Sequence, residues 1–250
     1  MTHATTFWND FSGRVAVVTG AGSSEGIGFA TCRLLAQLGA QVYALDLGFQ
    51  NDAQGSWTQL ECDVSDAHAC EAVFRTIVSE SQGIDVLVNN AGIVSATRIP
   101  DMESASFQRM MEVNALGVFN VTHTALEGMK ARAGAIVNVA SIAAQRGGGL
   151  QGGAHYAASK GAVASFTKAC ARELGRWGIR ANYVNPGVIH TGMTDGKFSA
   201  EQLAGMQAQI PLGRLGTAAE VASAIVFLAS PAAAYITGSA LDVNGGYHIH

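Results

Sequence analysis

The chain has 250 residues, of which 48% are hydrophobic and only 14% are charged, so it can bury a large core and is not a disordered protein. Its formal net charge of −4 and the absence of any run of Lys or Arg leave no general attraction to nucleic acid or to anionic membranes. This length fits one large α/β domain or two small ones.

The cysteines and the N-terminal sequence both indicate a cytoplasmic protein. None of the four cysteines belongs to a Cys-x-x-Cys pair, which is typical of reduced thiols in a cytosolic chain of this size. The N-terminus has no basic segment followed by an apolar stretch, so no secretory signal is expected. The uncharged segment 221–241 has about the length of a membrane span, but Pro231 and Gly238 interrupt it. We therefore expect a buried helix, a turn and a strand there.

Short apolar segments alternate with segments of helical periodicity along the chain. Six of them are predicted to be strands buried on both faces, namely 14–20, 40–47, 84–92, 135–141, 180–187 and 240–246. A further strand is expected before Asp63. This alternation predicts an α/β fold with a single Rossmann-like, doubly wound parallel sheet flanked by helices on both faces. No Pro/Ser-rich linker or repeat divides the chain, so one domain spanning residues 1–250 is expected.

A glycine-rich loop, residues 19–28, joins the first strand to the first helix. Glycines let the backbone approach a pyrophosphate, and a helix N-terminus offers free N–H groups and a positive dipole end. Glu25 would repel a phosphate unless it faced solvent, where it favours the helix dipole. A plain strand-to-helix turn is the alternative for this motif alone. The predicted contacts to the nucleotide phosphates are Gly20, Ser23, Ser24, Gly26, Ile27 and Gly28.

The choice between NAD and NADP is predicted from the end of the second strand. Asp46 lies eighteen residues after Gly28, where an acid accepts hydrogen bonds from the adenosine ribose and repels a 2′-phosphate. An acid that caps the following turn is the alternative. With no basic residue in the glycine loop, NAD is favoured and NADP is less expected. Asp63 and Val64, which follow the third strand, are predicted to border the adenine.

A serine, a tyrosine and a lysine in the second half of the chain form the strongest pattern. Ser141 closes a strand, and Tyr156 and Lys160 stand four residues apart, so they project from the same helical face. The phenol has an ordinary pKa of about 10, which an adjacent ammonium and a positively charged nicotinamide would lower. A Tyr-x-x-x-Lys pair alone is often accidental. After a strand-terminal serine and a nucleotide loop, it predicts acid–base chemistry.

From about Arg14 to Tyr247 the chain resembles the short-chain dehydrogenase/reductase family. The resemblance rests on motifs in the family's order: TG…GIG, NNAG, VNALG, the serine after the fifth strand, YAASK, NPGVIHT and ITGSALDVNGG. It implies that Tyr156 is the general acid/base and that Ser141 orients the substrate carbonyl. It further implies that Lys160 binds the nicotinamide ribose and that Asn114 holds a water linking Lys160 to solvent. The other cofactor-binding residues implied are Asn90, Ala91, Gly92, Pro186, Gly187, Ile189 and Thr191.

The chain departs from the family pattern at two places. The glycine loop is two residues longer than usual, which leaves its individual phosphate contacts open. The separation of Ser141 and Tyr156 is fifteen residues instead of thirteen, and the excess lies in a glycine-rich stretch that can loop out over the substrate. The family resemblance also implies a homotetramer built on the helix after Asn114 and the helix that carries Tyr156.

These observations predict an NAD-dependent oxidoreductase that interconverts a secondary alcohol and a ketone of a small-molecule substrate. A polyol or sugar, a hydroxy acid or acyl thioester, and a cyclic alcohol are all open as substrates. An NADP-dependent 3-oxoacyl-thioester reductase and a non-catalytic nucleotide-sensing protein are the alternatives. The pocket is expected from 94–98, 142–155 and 188–210, with a substrate lid at about 190–212. His155 is expected to line this pocket or to pack in the core. Arg146 is interpreted as an exposed loop residue, and contact with a substrate anion is the alternative. No metal site is predicted, because the pair His248 and His250 lacks a third ligand.

Overall fold

The computed structural model describes residues 10–50, 55–149, 152–192 and 198–249. Its strands are β1 (Val15–Thr19), β2 (Gln41–Asp46), β3 (Thr58–Glu61), β4 (Val86–Asn89), β5 (Ala135–Val139), β6 (Arg180–Pro186), β7 (Ile189–His190), β8 (Gly216–Thr217) and β9 (Ala240–Val243). Its α-helices are α1 (Ile27–Gln37), α2 (Ala67–Ser81), α3 (Ser104–Met111), α4 (Gly117–Lys130), α5 (Ala143–Arg146), α6 (Ala154–Leu174), α7 (Ala200–Ala208) and α8 (Ala218–Ala229). Short 3₁₀ turns lie at Ile99–Asp101, Gly175–Trp177 and Pro231–Ala233, and a π-helical turn, Glu112–Leu116, joins α3 to α4.

Seven strands form one parallel sheet in the order β3-β2-β1-β4-β5-β6-β9. The strand order reverses between β1 and β4, which is the switch point where doubly wound sheets bind ligands. The prediction of a Rossmann-like sheet is confirmed, and each predicted strand is present with ends trimmed by a few residues. The two-residue pair β7 and β8 stands apart from this sheet and was not predicted.

Helices cover both faces of the sheet, and this explains why the strands are apolar without alternation. Along β1, Ala16 and Val18 pack with α1 and α8 on one face. Val15 and Val17 pack with α2, α4 and α6 on the other face. Successive side chains of a strand point to opposite faces, so both sets must be apolar when both faces are buried.

The helix ends follow their local signals. Gly39, with a φ of +90°, lies directly after the C-cap of α1, in the left-handed region that glycine adopts readily. Thr217 and Glu220 form the capping box that opens α8. The uncharged segment 221–241 forms most of α8, a turn and β9, as predicted. Within the described residues, no helix is both long and apolar enough to cross a membrane.

Candidate active site

The glycine loop and the end of β4 pack backbone against backbone. A Cβ atom on Gly20, whose φ is +69°, would lie 2.7 Å from the Cα of Ala91, and one on Gly28 would lie 2.2 Å from the carbonyl oxygen of Gly20. The Asn90 amide group donates to the carbonyls of Thr19 at 3.0 Å and of Gly20 at 2.8 Å. Asn90 therefore holds the glycine loop in shape, which the sequence alone did not indicate.

The N-terminus of α1 is built to receive an anion. Gly26 is the N-cap residue, no side chain caps the helix, and no acidic residue lies in its first turn. By contrast, the Asp66 side chain caps α2. Free N–H groups at an uncapped helix end bind phosphate, so the cradle fits the pyrophosphate of a dinucleotide. Ser23 and Ser24 are half-buried in this loop, and Glu25 is exposed, as expected.

The carboxylate of Asp46 braces the lengthened glycine loop. One of its oxygens accepts the Gly22 N–H at 2.7 Å, and the other accepts the Leu47 N–H at 2.7 Å. The Gln50 side chain adds to this brace, because its amide oxygen accepts the Ser24 N–H at 3.2 Å. Each carboxylate oxygen has a second lone pair, so both can still accept a ribose hydroxyl.

Asp63 and Val64 lie beside Asp46 at the same edge of the sheet. Asp46 pairs with Glu61 in the register of β2 and β3, two residues before Asp63. Hydrogen bonds from Ser65 hold the pKa of Asp63 below its usual range. Neither Asp63 nor Val64 lines the main cavity. Their position therefore suits the adenine end of a dinucleotide and not the reacting end.

A cavity of about 190 Å³ opens at the carboxyl ends of β4, β5 and β6. Ten predicted site residues line it: Ile27, Asn90, Gly92, Ser141, Tyr156, Lys160, Pro186, Gly187, Ile189 and Thr191. The predicted pocket segments also contribute, with Val94, Ile142, Ala143, Arg146, Gly148, Gly149, Gly152, Val188 and Met206. Within the described residues, His155 does not line the cavity: it is fully buried, and neither ring nitrogen has a hydrogen-bond partner.

Tyr156 and Ser141 face each other across this cavity. The Ser141 hydroxyl is hydrogen-bonded to the phenol, and its oxygen accepts the Ala143 N–H at 3.1 Å. A Cβ on Gly152 would lie 2.3 Å from the Tyr156 ring, so the glycine-rich stretch packs directly on the phenol. Burial raises the pKa of Tyr156, and the hydrogen bond from Ser141 offsets this only in part.

Lys160 lies one turn further along α6, and its ammonium is directed at the backbone of β5. The side chain is buried, Nζ donates to the Val139 carbonyl at 2.8 Å, and Nζ lies 5.9 Å from the centroid of the Tyr156 ring. Burial lowers the pKa of Lys160 from 10.5 to about 8. Burial is thus the dominant influence on the phenol in the protein by itself, and the expectation that Lys160 lowers the pKa of Tyr156 stays a prediction.

Comparison with known proteins agrees with this geometry. A family profile described as enoyl-(acyl carrier protein) reductase matches residues 20–248. The chain is 42% identical over 248 residues to a 3-oxoacyl-(acyl-carrier-protein) reductase of Vibrio cholerae, covering 96% of this chain and 99% of the relative. It is 42% identical over 245 residues to a cyclopentanol dehydrogenase of Comamonas sp., covering 94% and 96%. The chain belongs to the short-chain dehydrogenase/reductase family.

A solved structure supports the same assignment. The crystal structure of a short-chain dehydrogenase/reductase from Brucella melitensis, titled glucose/ribitol dehydrogenase, superposes with a TM-score of 0.89 at 36% identity, covering 96% of this chain and 99% of that one. Membership in the short-chain dehydrogenase/reductase family makes the protein an oxidoreductase of CH–OH and C=O groups with a nicotinamide cofactor. The uncapped α1 and the glycine cradle fit that cofactor.

In this short-chain dehydrogenase/reductase, Asn114 ties the cavity wall to α6, the helix that carries Tyr156 and Lys160. It lies fully buried in the π-helical turn, a feature that is frequent at functional sites. Its Oδ1 accepts the Ile93 N–H at 2.8 Å, and its Nδ2 donates to the Ile93 carbonyl at 2.9 Å and to Ser159 Oγ at 3.0 Å. Its side chain is thus hydrogen-bonded to Ile93 and Ser159, and its role in a water relay stays a prediction.

Four cavity residues lie outside the predicted site residues and pocket segments: Ile93, Val139, Ala140 and Tyr247. Tyr247 is the most distant of these in sequence and reaches the cavity from the C-terminal segment. Two glycines with left-handed backbone, Gly245 and Gly246, precede it. A glycine pair of this kind is a turn signal that can be found in the sequence.

The buried ammonium of Lys160 is expected to lower the free energy of unfolding of the cofactor-free protein. Between about pH 8 and 10.5 the folded protein binds fewer protons at this site than the unfolded chain, so its stability rises with pH there, and the cost is fully present below pH 8. We expect Lys160→Met to raise the free energy of unfolding by about 2 kcal/mol at pH 7, after the lost bond to Val139 is subtracted. Above about pH 10.5 this gain should vanish.

The measurement is denaturant unfolding of the cofactor-free protein at pH 7 and at alkaline pH, at one protein concentration. Lys168→Met is the matched control, because Lys168 is an exposed residue of the same helix. Its effect should be small and the same at both pH values. A destabilised Lys160→Met variant at pH 7 would contradict the desolvation argument.

Proposed function

We propose that this member of the family is an NAD-dependent oxidoreductase that interconverts a secondary alcohol and a ketone. One observation carries the proposal: Ser141, Tyr156 and Lys160 border a single cavity that adjoins the glycine cradle at the strand ends. The hydrogen bond between Ser141 and Tyr156 supports their joint action on one oxygen atom. A non-catalytic sensing protein would need the nucleotide cradle but not this set of residues.

The proposed chemistry assigns one task to each side chain. The nicotinamide supplies a hydride for reduction of the ketone and accepts one in the reverse direction. Tyr156 Oη donates its proton to the carbonyl oxygen during reduction, and the Ser141 hydroxyl holds that oxygen in place. The raised pKa keeps the phenol protonated at neutral pH, which suits this step. In the oxidation direction the Lys160 ammonium stabilises the phenolate that must form.

The remaining predicted residues are proposed to bind the cofactor. Lys160 reaches the nicotinamide ribose, and Ile189 and Thr191, which line the same cavity, hold the carboxamide. Asp46 is proposed to bind the adenosine ribose and so to favour NAD. We propose that Asn114 holds the water that links Lys160 to solvent through its backbone, because its side-chain amide is hydrogen-bonded to Ile93.

A 3-oxoacyl-thioester reductase is the second candidate, because the Vibrio cholerae relative carries that name at 42% identity. Both functions use the same proton donor and differ in the substrate and in the expected cofactor, which is NADP for the thioester reductase. The cyclopentanol dehydrogenase relative, at the same identity, favours a small alcohol. The substrate that the enzyme turns over therefore distinguishes the two candidate functions.

The proposal is tested by steady-state kinetics with NADH and NADPH against a panel of ketones. The panel contains cyclopentanone, methyl ketones, short oxo acids and a 3-oxoacyl thioester, and the oxidised cofactors are assayed with the matching alcohols. Reduction of a small ketone with a preference for NADH supports the proposal. Reduction of the thioester with NADPH and of nothing else supports the second candidate. Cofactor binding without any turnover supports a sensing protein.

The lid, the location and the assembly also stay proposals. Part of the proposed lid at 190–212, residues 193–197, lies outside the described residues. The four cysteines are buried free thiols, which agrees with a cytoplasmic location. Leu116, at the end of the π-helical turn, and Phe119, in the first turn of α4, are each 46% exposed, and Phe119 packs against Phe166 of α6. This exposed apolar surface supports the proposed homotetramer, for which analytical ultracentrifugation is the direct measurement.

A further inference from the structure

Arg146 and Tyr247 form a built pair at the cavity, although they are 101 positions apart. The Arg146 guanidinium lies over the Tyr247 ring with its Cζ 4.1 Å from the centroid, and its Nη1 donates to the Tyr247 carbonyl at 3.3 Å. The turn before Tyr247 is fixed by Asn244, whose Oδ1 accepts the Gly246 N–H at 2.8 Å. The stacking holds the Arg146 side chain in one orientation, so less conformational entropy is lost when the side chain binds a ligand.

The charges of the cavity favour an anion near this pair. Among the described residues that line the cavity there is no Asp or Glu, and the cations are Arg146 and Lys160. Lys160 is engaged with the Val139 carbonyl. Arg146 forms no ion pair with any described carboxylate, and it has five N–H donors, of which one bonds Tyr247. Donors of its planar group therefore stay available to a ligand.

The shape of the cavity narrows the class of ligand. The described lining of the same cavity includes the apolar side chains of Ile142, Val188 and Met206. A cavity of about 190 Å³ that also receives the nicotinamide leaves room for only a short carbon chain. A guanidinium matches the two oxygens of a carboxylate with two parallel hydrogen bonds.

We infer that Arg146, oriented by Tyr247, binds a substrate carboxylate while Ser141 and Tyr156 bind the carbonyl oxygen. The substrates are then short hydroxy acids and their oxo acids. This inference rests on the proposed function and adds to it the charge of the substrate. Arg146 is exposed, as the sequence suggested, and it lies at the end of α5; the inference assigns it the contact with a substrate anion that was the alternative.

The test compares oxo acids with their methyl esters, which have the same carbonyl and no charge. The substrates are 3-oxobutanoate and 4-oxopentanoate, each beside its ester. Arg146→Met should lower kcat/KM for the preferred acid about 10- to 30-fold, mainly through KM, and change kcat/KM for its ester by less than about twofold. Arg146→Lys should have a kcat/KM for the acid between the values of Arg146→Met and the unmodified enzyme. It keeps the positive charge but loses the planar guanidinium that can form two parallel hydrogen bonds. Arg75→Met is the matched control, because Arg75 is an exposed residue of α2.

Inhibition gives a second readout that does not depend on the choice of oxo acid. Butanoate should compete with an ester or a neutral ketone in the unmodified enzyme, and butanamide should compete far less. Arg146→Met should lose the inhibition by butanoate. If the enzyme reduces esters and neutral ketones but neither acid, or if Arg146→Met lowers acid and ester alike, the carboxylate site is wrong and the proposed function stands. If it reduces no ketone of any kind, the proposed function fails as well.

Discussion

Tyr156→Phe is expected to lower kcat for ketone reduction by about 10³-fold, within the range of about 10²- to 10⁴-fold for loss of a general acid. The phenol is the group that faces Ser141, and removing its hydroxyl removes the proton donor. The phenylalanine ring keeps the packing against Gly152, so the site should stay in shape. The dissociation constant of the cofactor, measured by fluorescence titration, should change by less than about threefold.

Tyr183→Phe is the matched control for this substitution. Tyr183 is a buried tyrosine of β6 that does not line the cavity. The same loss of one hydroxyl there should leave kcat near the value of the unmodified enzyme. Turnover of Tyr156→Phe within a factor of about ten of that value would remove Tyr156 from the role of proton donor.

The location of the site could be predicted from the sequence because parallel strands place their carboxyl ends at one edge. The ends of β1, β2, β4, β5 and β6 each carry a residue that the motifs indicate, and a doubly wound sheet brings these ends together. The spacing of Tyr156 and Lys160 on one helix fixes their common face. These features depend on short stretches of sequence and on the fold class alone.

The partners of the site residues could not be predicted in the same way. Asn90 turns its amide to the carbonyls of Thr19 and Gly20, and this contact exists only after β1 and β4 have paired. The pKa of Tyr156 depends on how deeply the phenol is buried, which local spacing does not define. The exposure of Arg146 agrees with the prediction, but its stacking on Tyr247 could not be predicted, because the two residues lie 101 positions apart.

The two departures from the family pattern have a common structural solution. Each adds two residues to a loop, and in each the chain packs the loop onto a residue for which a functional role is proposed. The lengthened glycine loop is bonded to Asp46 through the Gly22 N–H. The lengthened catalytic loop places Gly152 against the Tyr156 ring. Glycine at both contacts lets the backbone approach where a side chain would collide.

Asp46 is expected to give the unmodified enzyme a preference for NAD over NADP of about a hundredfold or more, which corresponds to about 3 kcal/mol. We expect its carboxylate to accept charge-assisted hydrogen bonds from the ribose hydroxyls of NAD and to repel the 2′-phosphate of NADP. Asp46→Ala combined with Leu47→Arg removes the repulsion and adds a cation at an exposed position, since Leu47 is 66% exposed. The double variant should narrow or invert the ratio of kcat/KM values for the two cofactors.

The brace between Asp46 and the glycine loop requires a control that loosens the loop without changing its charge. Gln50→Ala removes the acceptor of the Ser24 N–H and leaves the carboxylate in place. If Asp46 selects the cofactor by its charge, Gln50→Ala should lower kcat/KM for NAD and for NADP by similar factors. The ratio of the two kcat/KM values should then stay unchanged. A ratio that shifts as far in Gln50→Ala as in the double variant would assign the selectivity to loop shape. An unmodified enzyme that prefers NADPH would show that the interpretation of β2 is wrong.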